Sequence, residues 1–222
     1  MTPDEDSSNV IPFPSRGRDQ PVVPGLEHEG SHEGRSRRRV TLLLAELRGW
    51  ADVSEQLGSE QAGVSLSRAV DRALSTLGEK QGHDIVLEGD PTQPAFSCTF
   101  EGPGGPHDAL RAAIAVRRAI AEVQSPAPPE RQFRIGIGID SGDVEDVSGD
   151  EVPSYQAVGS IRMFATRLRD FAGAGQIFLS AEVYEGVEGL AQVQALGEVR
   201  VNAYGDARAA FSLTDLRAQP EV

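Results

Sequence analysis

Apolar side chains show no period over residues 1–36 and become legible at Val40. Val40–Ala45 is almost continuously apolar, which marks a strand buried on both faces. Asp52-Val-Ser-Glu55 has the spacing of a capping box and predicts a short helix opening there. Leu66, Val70, Ala73, Leu74 and Leu77 fall at i, i+4, i+7, i+8 and i+11, one face of a long helix. Asp84–Glu88 and Ala95–Phe100 read as paired strands around a Gly89-Asp90-Pro91 turn. Pro94 removes a ladder donor, so the second of these strands is expected to be irregular or at an edge. Leu110, Ala113, Ile114 and Ile120 mark a helix from about His107 to Val123, closed by Pro126, Pro128 and Pro129. Phe133–Ile139 is the next strand, with Gly136 and Gly138 predicting close backbone packing. Ile161, Phe164, Ala165, Leu168 and Ala172 give a further helical stripe. Ile177–Leu179, a short helix near Glu182, and strands around Val199–Val201 and Ala209–Leu213 complete the pattern.

Strand–helix–strand–strand–helix–strand order is the ferredoxin-like α+β arrangement, a βαββαβ core here followed by extra C-terminal strands. The order is shared by many unrelated functions and assigns none of them. The folded domain is expected over residues 37–217, with short tails at 1–36 and 218–222. The first tail holds Pro3, Pro12, Pro14, Pro21 and Pro24 among Ser, Gly, Asp and Glu, and is expected to be disordered. Within it, Ile11-Pro-Phe-Pro14 is a lone apolar island, and His28 and His32 read as an incidental pair.

Composition narrows the function classes. At 222 residues and 39% apolar, the chain can bury one core. A formal charge of −13 and a pI near 4.7 oppose binding to nucleic acid or an anionic membrane. Cys98 is the only cysteine and no secretory leader is legible, which points to a reducing cytoplasm. No apolar run is long enough to span a bilayer. Lys80 is the only lysine, every other basic residue apart from histidine being arginine.

The candidate chemistry lies at strand ends. Val40 to Trp50 runs from an apolar strand into Glu46, Arg48 and a Gly49 turn, and a second acidic turn follows at Glu88-Gly89-Asp90. Carboxylates at the ends of neighbouring strands are what a hard divalent cation needs, since it takes oxygen ligands. Gly102-Pro-Gly-Gly-Pro106 reads as a loop without the lysine of a phosphate-binding P-loop. Asp143, Glu145, Asp146, Asp150 and Glu151 read as a solvated acidic loop, without EF-hand spacing.

These two acidic turns, with Gly136–Gly142, Val158–Leu168 and Gly175–Ser180, resemble the class III adenylate/guanylate cyclase catalytic domain over roughly residues 38–216. The resemblance implies attack of a ribose 3′ hydroxyl on an α-phosphate, expulsion of pyrophosphate, and two Mg²⁺ or Mn²⁺ ions at a head-to-tail dimer interface. It puts Asp90 at the second metal position unchanged and Glu46 at the first, one methylene longer than the family's aspartate. It puts Arg167 where the family stabilises phosphate charge. It puts Val86 in place of a purine-reading lysine, Gln156 in place of its aspartate partner, and Met163 in place of a ribose-orienting asparagine. Pro91 replaces the second turn glycine. Asp140-Ser141 falls at the family's structural strand end.

The resemblance therefore implies a degenerate cyclase domain: a cytoplasmic signalling or scaffolding module, inactive or very weakly active, with a nucleotide as potential ligand. Its expected partner is a second copy of the chain or a related cyclase domain, with Met163 and Phe164 partly exposed near the contact. The alternative is a functional adenylate or guanylate cyclase, with this chain supplying the metal side of a heterodimer.

Overall fold

The computed structural model describes residues 37–125, 127–145, 159–201 and 207–217. Both tails, the acidic stretch from Asp146 and Gln156 lie outside the described residues. The elements are β1 (Arg37–Arg48), α1 (Trp50–Leu57), α2 (Ser59–Glu79), β2 (His83–Asp90), β3 (Gln93–Glu101), α3 (Gly105–Gln124), β4 (Arg134–Glu145), α4 (Gly159–Phe171), β5 (Ile177–Ser180), α5 (Ala181–Val187), β6 (Ala191–Arg200) and β7 (Ala207–Leu216).

The strands form one seven-stranded sheet in the order β2-β3-β1-β4-β5-β7-β6. Its first four strands are antiparallel and, with the α2 and α3 crossovers, make the predicted ferredoxin-like core. β5 joins parallel to β4, and β7 and β6 extend the sheet antiparallel. Among the described residues no helix is long and apolar enough to cross a membrane.

β1 explains the layering. Its side chains alternate, so a strand that is apolar at nearly every position feeds two cores. Leu43, Ala45 and Leu47 join a large cluster with Leu66 and Leu77 of α2 and Leu110 and Val116 of α3. Val40, Leu42 and Leu44 point the other way, against Ile161 and Ala165 of α4. β4 repeats the alternation with different chemistry. Ile135, Ile137 and Ile139 join the large cluster, while Gly136 and Gly138 lie under α4. A β-carbon on Gly138 would overlap the Ala165 carbonyl and the Arg169 amide, so glycine is what lets α4 seat on the sheet.

Several sequence expectations are corrected. α1 starts at Trp50 behind Gly49, whose φ of 108 suits glycine, and no side chain caps it, so Asp52 lies in the first turn. β3 is an interior strand rather than an edge. Pro94 is accommodated because the β1–β3 ladder stops at Glu46–Ala95, one residue short of it. α3 begins earlier than His107, at Gly105, with Pro106 in its first turn where a missing N–H costs nothing. β4 runs on to Glu145, so Asp140 and Ser141 sit within the strand and not at its end, and Asp143 pairs with Arg39 at 3.1 Å instead of belonging to a loop. β6 starts at Ala191, well before the expected Val199, because its polar, exposed side chains hide the strand period.

Candidate functional site

The end of β1 that carries Glu46 is packed under α4. In register, Glu46 stands opposite Gly136 on β4 and Ala95 on β3, and Ala95 stands opposite Glu88 on β2. Glu46 and Glu88 therefore lie in one row across the sheet, on the face that α4 covers. α4 meets that row with arginines. Arg162 Nη2 reaches both Glu88 oxygens, at 2.6 and 2.5 Å. Arg169, two turns further on, has Nη2 at 3.8 Å from Glu46 Oε1.

Arg48 completes the arrangement from β1 itself. Two residues beyond Glu46, it shares that residue's face, and its Nε donates to Glu46 Oε2 at 2.5 Å. Its Nη1 and Nη2 donate to the carbonyls of Ala172 (2.7 Å) and Arg169 (2.9 Å) at the C-terminal end of α4, the latter also accepting the Ala172 amide at 3.2 Å. Gly136 makes this reach feasible, since a β-carbon there would lie 3.2 Å from Arg48 Nη1. The Glu46 side chain is only 12% exposed within this enclosure. A recess of ≈ 240 Å³ opens beside Arg48, lined also by Gly49, Asp52, Arg134 and Gly136 among others. That is smaller than the roughly 300–1,000 Å³ usual for small-molecule pockets.

Asp90 closes β2 and is exposed. Its Oδ1 accepts both the Thr92 amide (2.7 Å) and the Thr92 hydroxyl (2.5 Å) across the hairpin. The Thr92 hydroxyl, and then the Thr92 amide, hold its carboxyl below the ordinary value of 3.8. Val86 is half-buried on the same side of β2 as Glu88 and Asp90, opposite Ser97. Met163 is 54% exposed on α4. Arg167, one turn later, lies 4.2 Å over the Phe171 ring and donates to the Arg200 carbonyl at 3.2 Å. Phe164, expected to be partly exposed, is fully buried, because it faces β5 and β7 through Phe178 and Ala210.

The structure thus brings Glu46, Val86 and Asp90 to one face of the sheet, and puts Met163 and Arg167 on a separate, outward stripe of α4. A divalent cation fits this donor set poorly. Each Glu46 oxygen already faces a guanidinium, and Asp90 Oδ1 already accepts two bonds. Among the described residues no three His, Cys, Asp or Glu side chains converge as a cation site.

A second polar network was not foreseen. Asp140, fully buried, receives Arg208 Nη1 and Nη2 at 2.8 and 2.7 Å, and Arg208 Nη2 also reaches Glu182 at 2.7 Å. The guanidinium stacks 4.0 Å above the Phe164 ring. Burial raises the Asp140 carboxyl above its ordinary value, against the opposing pull of Arg208. Glu182 shifts the other way: burial alone would raise it, but its own backbone amide and Arg208 outweigh that. Arg48 and the i, i+7 pair Arg162 and Arg169 could have been found from sequence by strand and helix spacing. Arg208 has no such local signal.

A sequence profile of the adenylate and guanylate cyclase catalytic domain matches residues 33–214. The chain belongs to this family. Solved cyclase domains share its fold at low identity. CyaB, an adenylyl cyclase of P. aeruginosa, superposes with a TM-score of 0.63 at 18% identity, covering 82% of this chain and 96% of that one. The guanylyl cyclase domain of the RhoGC fusion protein of Blastocladiella emersonii gives 0.60 at 16%, covering 82% and 99%. The guanylate cyclase domain of RhGC from Catenaria anguillulae, solved with GTP, gives 0.58 at 17%, covering 82% and 100%. No curated protein sequence matches the chain.

Proposed function

We propose that this chain is a degenerate class III cyclase domain that acts as a cytoplasmic signalling or scaffolding module, without significant turnover. The observation that carries the reading is Met163. An exposed thioether stands where the family uses an amide to orient the ribose, and it offers no donor and only a weak acceptor. Val86 supports the same reading, since an isopropyl group cannot read a purine edge. A missing hydrogen bond from a charged group, as at Val86, costs about 1.5–3 kcal/mol, and one between neutral groups, as at Met163, about 0.5–1.5 kcal/mol. Together the two deficits lower the rate on the order of 10–10³-fold.

Assembly follows from the same stripe. Met163 and Phe171 are 54% and 51% exposed on either side of Arg167, an apolar surface suited to a second copy or a related cyclase domain. Among the relatives, the RhoGC guanylyl cyclase domain has been solved both as a non-canonical dimer and as a monomer. RhGC binds GTP, which makes a nucleotide the natural ligand to test.

The full chain, incubated with ATP or GTP and with Mg²⁺ or Mn²⁺, is expected to form no cyclic nucleotide above background. Product that disappears in Asp90→Ala would overturn this reading. The second reading, a metal-side subunit of a heterodimer, is favoured by the retained Asp90 and Arg167. Mixing with an intact cyclase domain decides it, since activity above that of the partner alone would support the heterodimer.

A further inference from the structure

We infer that Arg48 and Arg169 are a built-in cation at the Glu46 position: their guanidiniums take the place of a divalent metal and latch the end of β1 to the C-terminal end of α4. This rests on the family reading given above, which makes Glu46 the metal-side carboxylate. It goes further by assigning that carboxylate a different counter-charge.

Three features separate the latch from a passing surface ion pair. First, Arg48 is held at every nitrogen, with Nε on Glu46 and the two terminal nitrogens on the Arg169 and Ala172 carbonyls. A cation at a helix C-terminus is favoured by the helix dipole and by the outward-facing carbonyls of the last turn, which keep a lone pair for it. Second, the space is made for it, because Gly136 stands opposite Glu46 and any side chain there would crowd the guanidinium. Third, the charges already balance. Arg169 pairs with Asp170 at 2.9 Å while approaching Glu46, and both Arg169 and Glu46 are largely enclosed. Two positive groups meet two carboxylates. A divalent ion added at Glu46 would leave two excess positive charges in a partly enclosed place, where repulsion is poorly screened. An extra methylene matters here, since Glu46 must extend from the strand to meet Arg48 and Arg169 at once.

The test uses the full chain. Mn²⁺ is titrated while the amide signals of Ala95 and Gly136, the residues opposite Glu46, are followed by NMR. The latch predicts no selective paramagnetic broadening of these two signals at millimolar Mn²⁺. It also predicts that Glu46→Gln and Arg48→Gln each lower the melting temperature, and that the double variant melts no lower than the worse of the two. Broadening centred on Ala95 and Gly136, or an unchanged melting temperature in Glu46→Gln, would overturn it. The NMR arm needs no variant, so it decides even where a substitution prevents folding. The two readings fail separately. Metal bound at Glu46 without turnover sinks the latch alone, and turnover without metal at Glu46 sinks only the proposed loss of catalysis.

Discussion

The two faces of the sheet are held by different physics. The face under α2, α3 and α5 is one continuous apolar cluster, in which Leu43, Phe96, Leu110, Val116, Ile137 and Leu179 touch little but hydrocarbon. The face under α4 carries two small apolar clusters, and charged pairs fasten the helix around them: Glu88–Arg162, Glu46–Arg48–Arg169, and Asp140–Arg208–Glu182 beside Phe164. Apolar burial is non-directional and tolerates small shifts, whereas a bidentate guanidinium pair fixes orientation. α4 also bears the stripe of exposed Met163 and half-buried Arg167. The helix that carries the proposed contact surface is thus the one located by geometry rather than by area.

The sharpest way to break the contrast is at Arg208. Arg208→Ala strands a fully buried Asp140, and losing one partner of such a pair costs about 3–5 kcal/mol. Leu110→Ala on the opposite face should cost a similar amount, about 2–5 kcal/mol, through a cavity. The two differ in pH dependence. Burial raises the folded-state pKa of Asp140 above 3.8, and removing Arg208 raises it further. A raised pKa gives a contribution present at low pH and lost as pH climbs through the folded value. The Arg208→Ala deficit in urea melts should therefore shrink as pH falls toward 4, while the Leu110→Ala deficit stays level. Parallel pH profiles would mean that the α4 face is held by its hydrocarbon after all.

A smaller effect is expected at Gly138, where the helix backbone lies against the sheet. The β-carbon of Gly138→Ala overlaps the Ala165 carbonyl and the Arg169 amide, neither of which is a flexible side-chain end. Overpacking of this kind costs about 1–3 kcal/mol. Ala113, equally buried against the other face, should accept glycine for roughly 1 kcal/mol of helix propensity plus its lost methyl. Thermal melts of the two variants compare how rigidly each helix is seated.

The same contrast governs what the sequence could reveal. Periodicity reports burial, so β1, α2, α3 and the apolar side of β4 were legible as a ferredoxin-like core. Glycine at 136 and 138 announced a close approach without naming what approached. The first part of β6 escaped, only its end near Val199 being expected, because an exposed edge strand with side chains such as Gln192, Gln194 and Glu198 has no apolar period. The ion pairs escaped for a different reason. Arg208 and Asp140 are 68 residues apart, and no local pattern couples them. Arg48 was within reach, since i and i+2 on a strand share a face, but an arginine beside a presumed metal carboxylate reads as solvent-facing until its other partners are known. Among the residues singled out by family resemblance, Glu46 and Asp90 reach one sheet face. The enclosure of Glu46 depends on the end of α4, more than 120 residues away in the chain.

The smallest effect, and the finest test of the contrast, is at the hairpin tip, outside both faces. Asp90 is fully exposed and owes its lowered pKa to Thr92 alone, first the hydroxyl and then the amide. Thr92→Ala removes the larger of these bonds and leaves the smaller, so the Asp90 pKa should rise toward 3.8 without reaching it. A depressed folded pKa stabilises above the unfolded value and is lost as pH falls through the folded one. Any stability difference between wild type and Thr92→Ala should therefore fade as pH falls below the ordinary carboxylate value and stay small above it, because the carboxylate is solvated throughout. Carboxyl-carbon NMR shifts of Asp90 across pH 2–6 give the pKa directly. A titration unchanged in Thr92→Ala would show that the hairpin does not use the Thr92 hydroxyl to hold the Asp90 carboxylate ionised.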